Sequence, residues 1–203
     1  MIVYKEEPFY EEEPFYYKGE NLADPEPFEG RSQGSYKCIG YGQTDCSYSD
    51  TPPATITISA DRTYTAPWTA TENGTGVSVR FFIGSSWYPI DAWVVLYRQD
   101  GGTGDWTLVG QAAIGTVTNE AWNDVELSAV SGQNLNFSTD DVLNFGYVVN
   151  PDSGNCAIGN NANSTEPLLD YLTDDISAGP ASTVSAWTQS STNQVAIMFK
   201  YLG

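Results

Sequence analysis

Histidine is absent from the 203 residues of this sequence, which limits the chemistry that its side chains can perform. Ser-His-Asp and Cys-His nucleophilic sites, HExxH metalloprotease sites and zinc sites with histidine ligands are excluded. Without histidine, a β-sheet protein can still use two carboxylates as glycosidase acid and base, facing each other across ~5–9.5 Å. Paired acids, lysines and thiols are therefore the remaining candidates for catalytic groups.

Two pairs of acids have the close spacing that such a catalyst would need. Asp140 and Asp141 are adjacent, so on a strand their side chains point to opposite faces. Asp124 and Glu126 share one face, but Val125 between them suits the core and leaves both acids on the solvated side. We therefore expect neither pair to form a catalytic site.

Lysine and cysteine nucleophiles are no better supported. A Ser-Lys dyad would have to use Lys37 or Lys200, the two lysines beyond the first 30 residues. Cys156 has no nearby base that would activate its thiol. The sequence therefore predicts a protein that is not an enzyme and that uses no cofactor.

Loop acids and carboxamides offer hard oxygen ligands for Ca²⁺, which takes about 6–8 of them. None has the spacing of an EF-hand, and such residues in Gly-rich turns are usually turn formers. We therefore predict no metal site. The residues concerned are Asp100, Asp105, Asp152 and Asn155, and the cluster Asn160, Asn161 and Asn163.

Three cysteines, Cys38, Cys46 and Cys156, are an odd number and do not form a small disulfide framework. Two states fit the sequence, a Cys38–Cys46 bridge with a free Cys156 or three reduced thiols. We favour the reduced state because nothing marks the chain for an oxidising compartment.

The chain is strongly acidic, with 26 acids against 8 bases and a formal net charge of −18. This charge argues against partners that are nucleic acids or anionic membrane surfaces. No apolar run approaches the ~20 residues of a membrane span. The first ten residues lack the features of a signal peptide, so we expect synthesis in a cytoplasm.

Residues 1–30 hold nine acids and two lysines and contain a short repeat. Glu-Glu-Pro-Phe-Tyr occurs at 6–10 and again at 12–16, and Glu-Pro-Phe follows at 26–28. The prolines favour extended backbone, and aromatic side chains are typical interface anchors. A disordered leader is the alternative, but we favour an extended arm that orders on a neighbouring protein. Its predicted partner-binding residues are Phe9, Tyr10, Phe15, Tyr16, Tyr17 and Phe28.

Residues 31–53 are rich in Gly, Ser, Tyr and Asp and are interpreted as an irregular connector. From residue 54 onward, apolar and polar residues alternate with the period of two that is typical of strands. Residues 166–172 are the only candidate helical turn. The predicted strands are Ala54–Ile58, Val77–Ile83, Ile90–Tyr97, Trp106–Val109, Ala112–Val117, Trp122–Leu127, Leu135–Phe137, Val142–Val149 and Val195–Tyr201.

Many short strands with almost no helix predict an all-β fold. We expect an antiparallel, jelly-roll-like β-sandwich over residues 54–203, preceded by the extended N-terminal arm. Trp87 and Tyr88 would lie between two of its strands, where rings can stack on a sugar or pack against protein. We favour packing for these two rings and assign Trp93, Trp106, Trp122 and Trp187 to the core.

Four segments resemble the middle of jelly-roll modules of the carbohydrate-binding type. They are Val94–Tyr97, Trp106–Gln111, Ala121–Leu127 and Val142–Val149. Such modules recur in phage tail, fibre and head-decoration proteins and in secreted glycan-binding proteins. The resemblance covers roughly residues 76–150 and implies no catalytic residues. The combination of arm and sandwich is similar in architecture to viral cement or decoration proteins.

Two functions follow as expectations. The first is a non-enzymatic virion structural protein, a phage capsid decoration or cement protein that is made in the host cytoplasm and attached to the capsid surface by its arm. Its partner would be the major capsid protein or another virion protein, and it would form a homo-oligomer, a trimer or a dimer. The alternative is a glycan-binding module of a tail fibre or surface adhesin that uses Trp87 and Tyr88.

Overall fold

The computed structural model of the chain describes residues 35–58, 62–151, 156–161, 170–172, 179–189 and 194–203. These ranges contain strands, turns and bends but no helix, which confirms the all-β prediction. No helix that could span a membrane occurs in them either. The strands are β1 (Tyr36–Ile39), β2 (Ala54–Ile58), β3 (Arg62–Thr69), β4 (Gly74–Ile83), β5 (Pro89–Gln99), β6 (Trp106–Ala113), β7 (Ala121–Glu126), β8 (Ser128–Ala129), β9 (Asn136–Phe137), β10 (Val142–Pro151), β11 (Cys156–Asn161), β12 (Asp170–Leu172), β13 (Thr183–Val184), β14 (Thr188–Gln189), β15 (Gln194–Val195) and β16 (Ile197–Leu202).

Eight of these strands build two antiparallel sheets. The first sheet has the order β1-β16-β4-β7, and the second has the order β3-β10-β5-β6. The chain changes sheet after most strands, so neighbours within a sheet are far apart in sequence, except for the consecutive pair β5 and β6. This order is that of a jelly roll, a sandwich of two Greek keys. The remaining short strands extend the two sheets.

Most predicted strands are present, with ends that shift by a few residues. The prediction of a separate strand at Ala112–Val117 is wrong. Ala112 and Ala113 complete β6, and the chain leaves the sheet once the Ile114 N–H has bonded to the Ala92 carbonyl at 2.8 Å. Gly115 follows at once and ends the apolar alternation.

Several strands lie where the sequence predicted none, and β1, β3 and β11 are the longest of them. Pro67 obscured β3, because proline is rare inside sheets. Strand β12 pairs with residues 63–65 of β3, so Pro67 lies beyond that contact, at a part of the strand where a missing N–H is tolerated. β1 lies in the segment expected to be an irregular connector and pairs with β16. In the candidate helical turn, the described residues 170–172 form β12.

The main core lies between the sheets and is rich in aromatic side chains. Phe199 on β16 stacks on Phe145 of β10 with ring centroids 5.3 Å apart and planes 19° apart. Phe81 of β4 approaches Tyr147 of β10 at 5.5 Å. Each of these pairs joins one sheet to the other, because the inward positions of β4 and β16 face those of β10.

A smaller apolar cluster covers the outer face of the second sheet. Residues 179–189 run across that face, where Val184 joins the cluster and Trp187 approaches Tyr97 with ring centroids 5.3 Å apart. The Tyr97 hydroxyl donates a hydrogen bond to the Ala181 carbonyl at 2.9 Å. The sandwich therefore has an apolar layer outside this sheet as well as between the sheets.

A third cluster covers the outer face of the first sheet. We call residues 38–50 the disulfide cap, because Cys38 and Cys46 are bonded to each other at its start. Arg80 of β4 donates hydrogen bonds to the carbonyls of Cys46 and Tyr48 at 2.8 and 2.7 Å. Its guanidinium also lies 5.5 Å from the Trp122 ring, so one cation fixes the cap to the sheet beneath.

The bridged state of Cys38 and Cys46 differs from the reduced state that the sequence favoured. The Cα atoms stand 5.1 Å apart, because β1 and the following turn fold back on themselves. Cys156 is a free cysteine and is fully buried. Burial raises the pKa of its thiol, which makes it unreactive.

Thiol titration of the unfolded chain tests this pairing. We expect one reactive thiol per chain under denaturing conditions, three after reduction, and none in the native protein, since Cys156 is inaccessible. Reduction of the Cys38–Cys46 bridge opens the short loop that it closes, which should lower the free energy of unfolding by about 2.5 kcal/mol. Three thiols in the unreduced, unfolded chain would contradict the bridge.

Candidate functional site

The acids that a glycosidase would need are solvated or engaged in turns. Asp124 and Glu126 of β7 are exposed. Asp141 accepts a hydrogen bond from the Ser138 N–H at 2.9 Å, and Asp140 has a left-handed φ of 73° in the same turn. These contacts shape the turn between β9 and β10, as expected of acids at such positions.

The two lysines beyond the arm have structural partners. Lys37 forms an ion pair with Glu72, and the Tyr201 hydroxyl donates to the second oxygen of Glu72 at 2.9 Å. These hydrogen bonds, the one from Lys37 first, hold the pKa of Glu72 below its usual value. Lys200 lies over the Tyr36 ring at 4.5 Å. Both ammonium groups therefore help to attach β1 to β16.

The loop residues considered as Ca²⁺ ligands form local turns. The Asp100 carboxylate accepts a hydrogen bond from the Gly102 N–H at 2.8 Å, and the Asp105 N–H donates to the Thr103 hydroxyl. Asn160 is buried on β11. The described ranges contain no group of three Cys, Asp or Glu residues that could hold a metal ion. Asp152, Asn155 and Asn163 lie outside those ranges.

The six predicted partner-binding residues of the arm, Phe9, Tyr10, Phe15, Tyr16, Tyr17 and Phe28, also lie outside the described residues. Trp87 and Tyr88, by contrast, lie within the described residues and differ in exposure. Tyr88 is 63% exposed. Trp87 is half-buried and rests on Phe81 with ring centroids 6.1 Å apart. Packing therefore holds the Trp87 ring, while the Tyr88 ring projects into solvent.

Trp87 lines an open cleft of about 370 Å³ at one end of the second sheet, together with Asp91 and Trp93 of β5. A second cleft of about 570 Å³ adjoins it and is lined by Trp93, Gln111 of β6 and Ser128 of β8. Trp93 and Ala113 line both clefts, so the two are side by side. We call the pair the tryptophan groove.

Among the described residues that line it, the tryptophan groove has a negative group and no basic one. Asp91 is exposed at its rim. Three basic side chains make the contacts described above, which lie away from the groove: Lys37, Arg80 and Lys200. Arg98 donates to the Asn136 carbonyl at 3.0 Å. The groove therefore disfavours anions.

Alkaline pH should destabilise the sandwich through its tyrosines. Burial, with a smaller effect of Glu72, raises the pKa of Tyr201 to about 12, and burial also raises that of Tyr41 to about 12. Because the folded protein holds these phenol protons more tightly than the unfolded chain does, they contribute to the free energy of unfolding. That contribution is complete below the ordinary pKa near 10 and is lost as the pH rises through 12. We expect unfolding in that interval, followed by tyrosinate absorbance and tryptophan fluorescence. Tyr201→Phe should make the loss less steep, and an equally steep loss would contradict this account.

Comparison with known proteins adds little to the jelly-roll assignment. No protein family matches the sequence, and no curated protein is significantly similar to it. One similar solved chain comes from the structure of infectious bursal disease virus Gt strain. The two chains are 14% identical with a TM-score of 0.27, and the match covers 84% of this chain and 41% of that one. The chain thus spans about two fifths of that viral chain.

Sequence reasoning missed the central residue of the groove. Trp93 was assigned to the core because it lies in a nearly continuous apolar run. Its neighbours Ala92 and Val94 do face the main core, so the alternation of the strand places Trp93 on the outer face. A strict period of two through β5 would have indicated this position.

Proposed function

We propose that this chain is a non-enzymatic structural protein of a virus particle, specifically a phage capsid decoration or cement protein. In this proposal the protein is made in the host cytoplasm, and its jelly roll sits on the capsid surface. The arm attaches it to the major capsid protein or to another virion protein. Neither nucleic acid nor membrane is a partner, in keeping with the net charge of −18.

The observation that carries this proposal is the contrast between the two parts of the chain. Residues from Gly34 onward form one compact unit, and jelly rolls recur in viral capsid and lectin domains. Ahead of that unit, the arm repeats Glu-Glu-Pro-Phe-Tyr. Fully extended, its thirty residues reach on the order of 100 Å. Phe and Tyr would fill apolar grooves of a coat protein, and the glutamates would pair with its basic residues.

Co-sedimentation with particles stripped of the protein tests the attachment. The variant to compare is the full chain with Phe9, Phe15 and Phe28 changed to Ser, since it keeps the arm's length and charge. We expect binding to fall at least tenfold. A matched variant with Thr44, Thr139 and Thr183 of the sandwich, all exposed, changed to Ser should bind like the original chain. Equal binding of the aromatic variant would contradict the arm hypothesis.

A shortened chain gives a second comparison. It should begin at residue 35 rather than after the connector, because β1 and the disulfide cap belong to the sandwich. We expect it to fold and to lose particle binding.

Light scattering of both chains would test the proposed homo-oligomer, a trimer or dimer, against a monomer.

The alternative function is a glycan-binding module of a tail fibre or surface adhesin. The observation that favours it is the pair of fixed indole rings, Trp87 and Trp93, at the same cleft. Trp87→Ala should then abolish retention on a polysaccharide while the fold persists. Unchanged retention would contradict a role for that ring.

A further inference from the structure

The tryptophan groove has the chemistry of a carbohydrate site, and we infer that it binds a neutral, extended glycan with Trp93 at its centre. This inference rests on the alternative function above and not on particle attachment. It keeps one of the two residues that the sequence indicated, Trp87, and replaces the other. Trp93 takes the central place, and Tyr88, which does not line either cleft, has no role.

The rings of the groove are held in place before any ligand arrives. Trp87 packs on Phe81 and on the main core, and Trp93 packs on the cluster outside the second sheet. Fixed rings lose little conformational entropy on binding, which favours stacking on the apolar face of a sugar. Small residues beside them, Ala113 and Gly115, leave room for a ligand to approach.

Polar groups along the groove match the hydroxyls of a sugar. Asp91 can accept hydrogen bonds at one end, and Gln111 can both donate and accept further along. Ser128 and Ser131 add hydroxyl groups at the far end. The Asp91 carboxylate, with no cation among the described lining residues to balance it, disfavours phosphates, uronic acids and nucleic acids. The ligand that fits is therefore neutral.

The shape of the groove favours a polymer over a single sugar or a peptide. Its two open clefts lie side by side and share Trp93 and Ala113, so consecutive units of a chain could occupy them. A peptide that added a strand would need a free sheet edge. On the far edge of β6, residues 106–107 already pair with β13 and residues 110–111 with β8, and the two residues that follow are too short a stretch for an added strand.

Native affinity electrophoresis of the full chain would test the inference. The gels should contain soluble β-glucan, galactan or mannan as neutral probes, alginate as an anionic probe, and a proline-rich peptide as a protein probe. Ala113→Gln fills both clefts from an exposed strand position, and Thr183→Gln is a matched control on β13. Tyr88→Ala tests the ring outside the groove.

We expect retardation by at least one neutral polysaccharide and none by alginate or the peptide. Ala113→Gln should weaken that retardation at least tenfold, while Thr183→Gln and Tyr88→Ala leave it unchanged. Absence of retardation by all three neutral polymers, or undiminished retardation of Ala113→Gln, would overturn the inference. Equal retardation by alginate or preferential binding of the peptide would overturn it too. Particle binding by Ala113→Gln should be measured in parallel. It should be unchanged, because attachment is proposed to depend on the arm and not on the groove.

Discussion

Phe199→Ala is expected to lower the free energy of unfolding of the sandwich by about 3–5 kcal/mol. Phe199 is fully buried and stacks on Phe145 of the opposite sheet. It also contacts Tyr201 at 5.8 Å, Phe137 at 6.1 Å and Trp68 at 6.2 Å between ring centroids. These rings come from four strands and cannot all move inward, so truncation leaves a cavity.

Urea unfolding followed by tryptophan fluorescence would measure this loss. Because stability is commonly 5–15 kcal/mol, the substitution should remove a large share of it. The control is Tyr88→Ala, which truncates an aromatic ring that is 63% exposed and should change stability by less than about 0.5 kcal/mol. Similar losses for the two variants would show that the aromatic cluster does not join the sheets.

Gly146→Ala is expected to cost about 3 kcal/mol, although it adds a single methyl group. Gly146 lies in the middle of β10, between Val95 of β5 and Thr65 of β3. A Cβ atom there would lie 2.7 Å from the Thr65 Cα and 2.8 Å from the Tyr64 carbonyl carbon. These are backbone atoms of a paired strand, so relief requires the two strands to separate.

The matched control for this substitution is Gly101→Ala in the turn between β5 and β6. No atom lies within 4 Å of the position that its Cβ would take. We expect its stability to stay within about 0.5 kcal/mol of the original chain. Thermal unfolding of both variants would compare them directly, and a tolerated Gly146→Ala would contradict the close approach of β3 to β10.

Periodicity was enough to predict the long strands and the fold class. β4, β5 and β10 are clear in the sequence because their inward positions are apolar over many residues. β3 was missed because Pro67 interrupts a pattern that Tyr64, Ala66 and Trp68 otherwise keep. Proline is tolerated in an edge strand only where the backbone N–H has no partner strand to bond. Sequence alone does not indicate which stretch of the strand that is.

Features that depend on distant contacts were harder to predict. The disulfide cap owes its place to Arg80 and Trp122, which lie more than 30 residues beyond Cys46 in the sequence. The alternative with a Cys38–Cys46 bridge was considered, but composition could not favour it. The tryptophan groove likewise combines β5, β6 and β8, and no local pattern indicates that these segments meet.

The attachment of the protein to a virus particle is the central claim of this account, and its most direct test is the composition of the particles themselves. Quantitative mass spectrometry of gradient-purified virus particles from a host that expresses this sequence would measure copies of the chain per coat protein. We predict a fixed, small whole-number ratio that survives repeated purification and falls when exposed surface proteins are removed by protease. Absence of the chain from purified particles, or a ratio that declines with every wash, would contradict a structural role.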